Sequence, residues 1–159
     1  MNSEIKIEKI KPDNFDDFLN LVEKLAEYEK LAPPDVKAKE RLKKDAFSGD
    51  PKYEAYLAKL NEKYVAYLIF FMNYSSFLAL PVLYIEDIFV LEKYRKKGIG
   101  QLLFNFCVRK AEEKNCGRIE WHVLDWNKLG INFYEKNKAV HLSNWEYYRL
   151  DKNRFKDFL

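Results

Sequence analysis

Cysteine, long apolar runs, internal repeats and an excess of one charge sign are all scarce in this chain, and each scarcity closes off a class of explanation. Its 159 residues include two cysteines, Cys107 and Cys116. They fall on and just after one predicted helix, with neither metal-ligand spacing nor the density of a disulfide scaffold, so a reducing compartment and no metal site are expected. The longest apolar run, Val65 to Met72, is far too short to cross a bilayer. The opening Met1-Asn2-Ser3-Glu4-Ile5-Lys6 has no apolar signal core, so a soluble, cytoplasmic protein without a membrane partner is expected. Lys and Arg number 28 against 25 Asp and Glu, a net charge of +3. That balance, with basic residues spread along the whole length, excludes a nucleic-acid stripe; the densest cluster, Lys93 to Lys97, sits at one candidate ligand turn.

What is present is a globular composition: 48% hydrophobic, 16% aromatic and 33% charged residues, which lies outside the disordered and fibrous ranges. The length suits one domain, and with no linker or low-complexity segment residues 1–159 read as a single unit.

Ile5, Ile7 and Ile10 alternate with charged residues and predict a short opening strand. Phe15, Phe18, Leu19, Val22, Leu25 and Ala26 recur at helical spacing, predicting a helix from Phe15 to about Lys30 that stops before Pro33-Pro34. A second helix is expected over Asp35–Phe47. The segments Tyr53–Leu60 and Lys63–Asn73 read as strands joined by a hairpin at Asn61-Glu62. Val82–Val90 reads as a central strand, apolar on both faces, with Glu86 on the Val82-Tyr84 face and Asp87 on the Leu83-Ile85 face. Ile99, Leu102, Leu103, Phe106 and Cys107 form the stripe of a helix over Ile99–Lys114. A strand over Arg118–Leu124, a helix over Asn127–Asn137 and two β segments, Ala139–Leu142 and Asn144–Leu150, complete the chain. The order predicts an α/β domain with a mixed sheet.

The turn Arg95-Lys96-Lys97-Gly98-Ile99-Gly100 connects an apolar strand to an amphipathic helix. A helix start offers unpaired N–H groups and the positive end of its dipole, glycines admit close approach, and Arg95, Lys96 and Lys97 add charge, which together suit a phosphate. By itself such a turn is more commonly a plain connection with a solvated basic rim. It lacks the Lys-Ser/Thr ending of a P-loop and the third glycine of a dinucleotide fingerprint, so nucleoside triphosphate and nicotinamide readings are weak.

The R-x-x-G-x-G pattern resembles the acetyl-CoA pyrophosphate motif of the GNAT acetyltransferase superfamily. The segments Ile85-Glu86-Asp87-Ile88-Phe89-Val90, Tyr94-Arg95-x-x-Gly98-Ile99-Gly100, Asp125-Trp126-Asn127 and Ile131-Asn132-Phe133-Tyr134, with Leu25-Ala26-Glu27-Tyr28-Glu29, resemble its spermidine/spermine (diamine) acetyltransferase branch. The resemblance spans the first helix to the last. It implies a GNAT fold, with a mostly antiparallel central sheet flanked by helices and splayed at the cofactor site. It also implies acetyl-CoA as acetyl donor, a small cationic primary amine as acceptor (polyamine, diamine or lysine-like), and a homodimer. Ile88, Phe89, Val90, the Arg95–Gly100 turn and Asn127 would contact the cofactor.

Direct acyl transfer from a thioester to an amine needs a neutral amine, a polarised carbonyl and a proton for the leaving thiolate. By resemblance Tyr134 is the general acid for the sulfur and Glu86 helps to remove the amine proton. On spacing alone Tyr134 is a packing aromatic and Asn127 an N-cap; for Asn127 both roles are compatible. Unpaired carboxylates on an apolar strand must face a cavity, water or a basic partner, so Glu86 and Asp87 are either a substrate site or a structural ion pair. The resemblance also implies substrate contacts at Tyr28, Glu29, Glu120, Trp121 and His122. His122 is as readily a hydrogen-bonded strand histidine as a base, and no catalysis is assigned to it. Neither cysteine is expected to be a nucleophile.

Two positions depart from the family pattern: Lys96 stands where glycine commonly follows the arginine, and Lys138 where a glycine commonly ends the last helix. Termination there is expected to rely on Asn137 in the left-handed conformation. Two rival readings stay open. One is acetylation of a protein amine; the other is a non-catalytic acetyl-CoA sensor, against which Tyr134 argues.

Overall fold

The computed structural model describes residues 4–159; Met1 to Ser3, on which the absence of a signal core partly rests, lie outside the described residues. The chain divides into two compact units, one ending at His122 and the other spanning Val123–Leu159.

The first unit is a five-stranded sheet in the order β1-β2-β3-β4-β5, with β1 Ile5–Lys9, β2 Glu54–Leu60, β3 Lys63–Ser75, β4 Leu80–Val90 and β5 Arg118–Glu120. Neighbours are antiparallel except β4 and β5, which run parallel. The β2–β3 connection is a two-residue hairpin in which Asn61 and Glu62 have φ of 47° and 62°. Two left-handed residues match the twist of the strands they join, which is why so short a loop suffices.

The helices α1 (Phe15–Glu29) and α3 (Ile99–Glu113) cover the sheet, and α2 (Val36–Ala46) adds its Leu42 and Ala46 to the α1 side. On one face Phe15, Phe18 and Leu21 pack with Ala55, Leu57, Tyr67, Ile69 and Phe89. On the other, Phe106 of α3 meets Tyr56 at 4.6 Å between ring centroids, above buried Ile99, Leu103, Phe104 and Cys107. Each large apolar side chain so buried contributes about 1.5–3 kcal/mol. Leu21 and Phe104 are buried although they fall off the predicted stripes, so the apolar face of each helix is wider than the stripe read from sequence. Asp35 caps α2 by accepting from the Ala38 N–H at 2.7 Å, and α1 ends on Lys30 in the left-handed region at φ 58°.

A bulge in β4 corrects the predicted faces. Ile69 pairs with Asp87 but its neighbour Phe70 pairs with Ile85, leaving Glu86 as the extra residue. Such an insertion switches the alternation. Asp87 and Phe89 therefore lie on the α1 face, where Phe89 joins the Tyr67 cluster, while Ile85 shares the α3 face with Phe70. The β5 strand is also shorter than expected. Its ladder with β4 is Val82–Arg118, Leu83–Ile119 and Tyr84–Glu120, and Trp121–Leu124 leave the sheet. An even parallel ladder cannot continue past a bulge that turns β4 away. From Ile85 to Val90 the β5-side edge of β4 has no strand beside it among the described residues, and the sheet is open there.

In the second unit, α4 spans Lys128–Lys136. Its C-terminus differs from the expected one. Asn137 has φ of −86° and donates its side-chain Nδ2–H to the Phe133 carbonyl at 2.8 Å, while Lys138 takes the left-handed conformation at φ 64°. The Lys138 and Ala139 N–H groups close onto Glu135 and Tyr134 at 2.9 and 3.1 Å, the bonding pattern that a left-handed residue one place beyond the cap permits. The two closing β segments do not form strands. Residues 139–150 carry no ladder, since an extended segment becomes a strand only when a neighbouring backbone pairs with it. The chain ends instead in a 3-10 helix, Lys152–Asp157.

Candidate active site

The bulge gives the two adjacent carboxylates different surroundings. Glu86 is exposed, so it faces water as expected. Asp87 is turned inward, and its partner is a hydroxyl rather than a base: Tyr67 donates to Asp87 Oδ2 at 2.9 Å. Burial pushes the Asp87 carboxyl up to about 7; the Tyr67 hydrogen bond pulls it down, while the charges of Glu86 and Glu29 push it further up. Glu29, at the end of α1, is raised for the same reasons, burial first and then Glu86. The Tyr67 hydroxyl is held well above its ordinary range by burial and by Asp87. Glu29, Glu86 and Asp87 thus feel one another, and carboxylates shifted in this way are candidates for a functional site.

The strand-to-helix turn lies at the far end of β4. Leu91 leads into a short 3-10 turn, Glu92–Tyr94, then Lys96 and Gly98 adopt φ of 60° and 79° before α3 begins. No side chain caps α3, so the N–H groups of its first turn point out without an acceptor from the helix itself. Arg95 is turned toward the α1 side: its Nε–H donates to the Val90 carbonyl at 3.0 Å, and its guanidinium carbon lies 4.6 Å from the Tyr28 ring centroid and 5.8 Å from that of Phe89. Tyr28 and Arg95, expected at substrate and cofactor respectively, are thus one contact that ties the end of α1 to the glycine turn. The Lys93 and Lys97 ammonium groups flank the Tyr94 ring at 5.2 and 5.5 Å, and Lys96 is exposed. Phe89 and Ile99 have core side chains, which leaves their backbone groups for any ligand; Ile88, Val90 and Gly100 are half-buried. The donor set fits a pyrophosphate: backbone N–H groups at a helix start, a left-handed glycine and surrounding lysines.

Within β5, Glu120 pairs with Arg118 of the same strand, Oε1 to Nε at 2.6 Å. Trp121 sits edge-on to Phe104, 5.9 Å between centroids. The exposed His122 is hydrogen-bonded through Nδ1 to the Tyr84 hydroxyl. Tyr84, Tyr67 and Arg118 were not singled out from sequence. Only the register places Tyr84 beside Glu120, and only the bulge brings Asp87 to Tyr67.

In the second unit, Asn127 is the N-cap of α4: its Oδ1 accepts from the Gly130 N–H at 3.0 Å. A Cβ on Gly130 would lie 2.8 Å from Asn127 Nδ2, so this glycine is what lets the cap close. Tyr134 is half-buried, its ring 5.3 Å from that of Phe133. Cys107 is buried and its thiol is pushed up to about 12 by burial, which suits packing rather than nucleophilic attack.

The sequence profile described as Acetyltransferase (GNAT) family matches residues 18–138. An L-ornithine N5-acetyltransferase of Arabidopsis thaliana is 48% identical over 103 residues, covering 64% of this chain and 45% of its own length. The chain thus spans less than half of that relative. A thialysine N-epsilon-acetyltransferase of Caenorhabditis elegans is 28% identical over 158 residues, 96% of this chain and 97% of its own. Among solved structures, a possible acetyltransferase from Clostridium difficile 630 superimposes with a TM-score of 0.79 at 20% identity, over 92% of this chain and 97% of that one.

Proposed function

The chain belongs to the GNAT acetyltransferase family, and from that premise we propose that it transfers an acetyl group from acetyl-CoA to a primary amine of a small cationic molecule, a diamine, polyamine or lysine-like amine. The observation that carries this reading is the bulge at Glu86, one residue past Ile85, where the β4 edge becomes unpaired. A single feature sets the carboxylate cluster beside an open strand edge, and that edge leads directly to the anion-binding turn.

In this reading acetyl-CoA supplies the thioester. The backbone of Ile88–Val90 and the N–H groups of the Gly98–Gly100 turn hold it, with Lys96 and Lys97 adding charge and Arg95 holding the turn in place. Glu29 and Asp87 attract the ammonium form of the substrate. Glu86 accepts one proton from the ammonium, directly or through water, leaving a neutral amine; the amine nitrogen then bonds to the acetyl carbon and the carbon–sulfur bond breaks, Tyr134 gives its proton to the thiolate, and the nitrogen's second proton passes through water to the Tyr134 phenolate while Glu86 returns its own to solvent. Asn127 orients the start of the helix that carries Tyr134 and adds a cofactor contact. Glu120, Trp121 and His122 border the acceptor. Support comes from the family assignment and from relatives whose names specify ornithine and thialysine.

We also read residues 1–159 as one domain, since the family match crosses from one compact unit to the other. We read the protein as a cytoplasmic homodimer; the exposed aromatics Trp145, Tyr147 and Tyr148 support an interface. Among the described residues no helix is long and apolar enough to cross a membrane. The test is thiol release from acetyl-CoA with a panel of diamines, polyamines, diamino acids and peptides. Turnover with small amines is expected; turnover with peptides alone would make it a protein acetyltransferase, and acetyl-CoA binding with no turnover a sensor.

A further inference from the structure

We infer that Tyr67 is a positioning residue for the acceptor amine, holding Oδ2 of Asp87 so that Oδ1 receives the incoming ammonium while the carboxyl releases a proton. This rests on the amine-acetylation reading and deepens it. Tyr67 is wholly buried, with the Phe18 ring edge-on at 5.5 Å and the Phe89 ring at 6.2 Å between centroids. It opposes Leu57 on β2 and Phe89 on β4, while Asp87 opposes Ile69. Tyr67 and Asp87 are thus diagonal neighbours across one ladder, a separation that a tyrosine can span, and the hydroxyl reaches Asp87 Oδ2 at 2.9 Å. Packing alone asks for no polarity here. Phenylalanine would fill the same space among these rings, and a buried hydroxyl costs stability unless it is bonded. Its partner is a carboxyl, itself costly to bury. A polar pair set into an aromatic cluster points to a task other than filling the core.

Asp87 is half-buried, and among the described residues no buried side-chain oxygen lacks a hydrogen-bond partner. With Tyr67 on Oδ2, Oδ1 is the oxygen that meets solvent. The groups facing this carboxyl are Tyr67 from β3, Glu86 from the bulge of β4 and Glu29 from the end of α1. Arg95 of the following turn is directed to the Val90 carbonyl and the Tyr28 ring. Burial and the two neighbouring carboxylates keep a proton on Asp87 up to about pH 7, and the Tyr67 hydrogen bond opposes them. An ammonium at Oδ1 tips that balance: it favours the ionised carboxyl, and the displaced proton leaves for solvent. Because a hydroxyl donates more strongly to a carboxylate than to a neutral acid, Tyr67 lowers the cost of this exchange. Without it the amine meets a carboxyl that holds its proton more firmly.

The test compares Tyr67→Phe with the unaltered full chain by thiol release from acetyl-CoA, using whichever of putrescine, spermidine and ornithine is acetylated fastest. In Tyr67→Phe the rise of kcat/KM with pH is expected to move up by about one pH unit, the order of a hydrogen bond to an ionised group. KM for the amine should therefore increase about fivefold at pH 7 and return to that of the unaltered protein near pH 9, with kcat little changed. A substitution that only loosens the core alters KM alike at every pH, and the position of the rise does not depend on how much of a preparation is folded. A second measurement needs no variant at Tyr67. The same amine is titrated calorimetrically into the unaltered protein loaded with CoA, which has no acetyl group to give, in buffers of different ionisation enthalpy. Release of close to one proton per amine is expected at about pH 6 and little at about pH 8.5, and Asp87→Asn should remove most of it. An unmoved rise in Tyr67→Phe, or amine binding without proton release in the unaltered protein, overturns the inference and leaves amine acetylation standing. Acetylation of no amine overturns both.

Discussion

The run from Tyr84 to Gly100 and the run from Leu124 to Ala139 both enter a helix through a turn, yet they satisfy their polar groups in opposite ways. In the second, Asn127 caps the first turn of α4 and Asn137 bonds back to the last, so the helix is closed by its own side chains. In the first, β4 bulges, the half-buried Asp87 accepts from a hydroxyl, Lys96 and Gly98 are left-handed, and α3 begins with no side-chain cap. The difference separates a helix closed at both ends by its own side chains from one whose start carries no side-chain cap. In the proposed reading a bound pyrophosphate would meet the uncapped start of α3 and a bound ammonium the carboxylates at the bulge, and each would stabilise the folded protein.

The largest stability effect lies at Asp87. Its folded carboxyl sits at about 7, above the ordinary 3.8, so the folded state keeps a proton that the unfolded chain has already lost. Stability therefore falls as pH rises from about 4 to 7 and levels off above that. Asp87→Asn removes this slope while preserving an acceptor for Tyr67. Its melting temperature relative to the unaltered protein should rise with pH by several degrees, measured calorimetrically from pH 5 to 8. A difference independent of pH would mean that Asp87 is already ionised.

The two glycines sharpen the contrast between the turns. At Gly98 a Cβ would meet nothing within 4 Å, so the cost of alanine comes from φ 79° alone, about 1–2 kcal/mol. It should be accompanied by weaker acetyl-CoA binding, and no neighbouring deletion should rescue it. At Gly130 the cost is contact with Asn127, at 2.8 Å. Gly130→Ala should destabilise by about 1–2 kcal/mol and should become neutral or stabilising in an Asn127→Ala background, where the better helix former is gained without the clash. Urea titrations of the four variants decide this; the same cost in both backgrounds would remove the cap from the account. The smallest effect is at Lys138, left-handed at φ 64°. Lys138→Gly should stabilise by about 0.5 kcal/mol, visible as a shift in urea midpoint, and no shift would show that the lysine is unstrained.

Local chemistry made much of this legible from sequence. The spacing of Phe15 and Phe18, the Asn61-Glu62 hairpin and the glycine turn each act within a few residues, and the structure places them as expected. What was not legible depends on partners distant in the chain. The bulge at Glu86 exists only through the register against Ile69 and Phe70, and the Tyr84–His122 contact only through the parallel pairing with β5. Two β segments were expected within residues 139–150, but local sequence carries no information about whether an edge is available to pair. At Lys96 and Lys138 the turn dictated the backbone and overrode the preference of the residue.

The measurement that bears most directly on the proposed activity is acetyl-CoA-dependent acetylation of a small diamine or diamino acid by Glu86→Gln, with acetyl-CoA affinity measured on the same preparation. General base catalysis is worth about 100-fold or more. The account predicts a fall in kcat of at least that size, with Kd for acetyl-CoA essentially unchanged because the cofactor is held by the turn and the strand edge. Undiminished turnover in Glu86→Gln would contradict it.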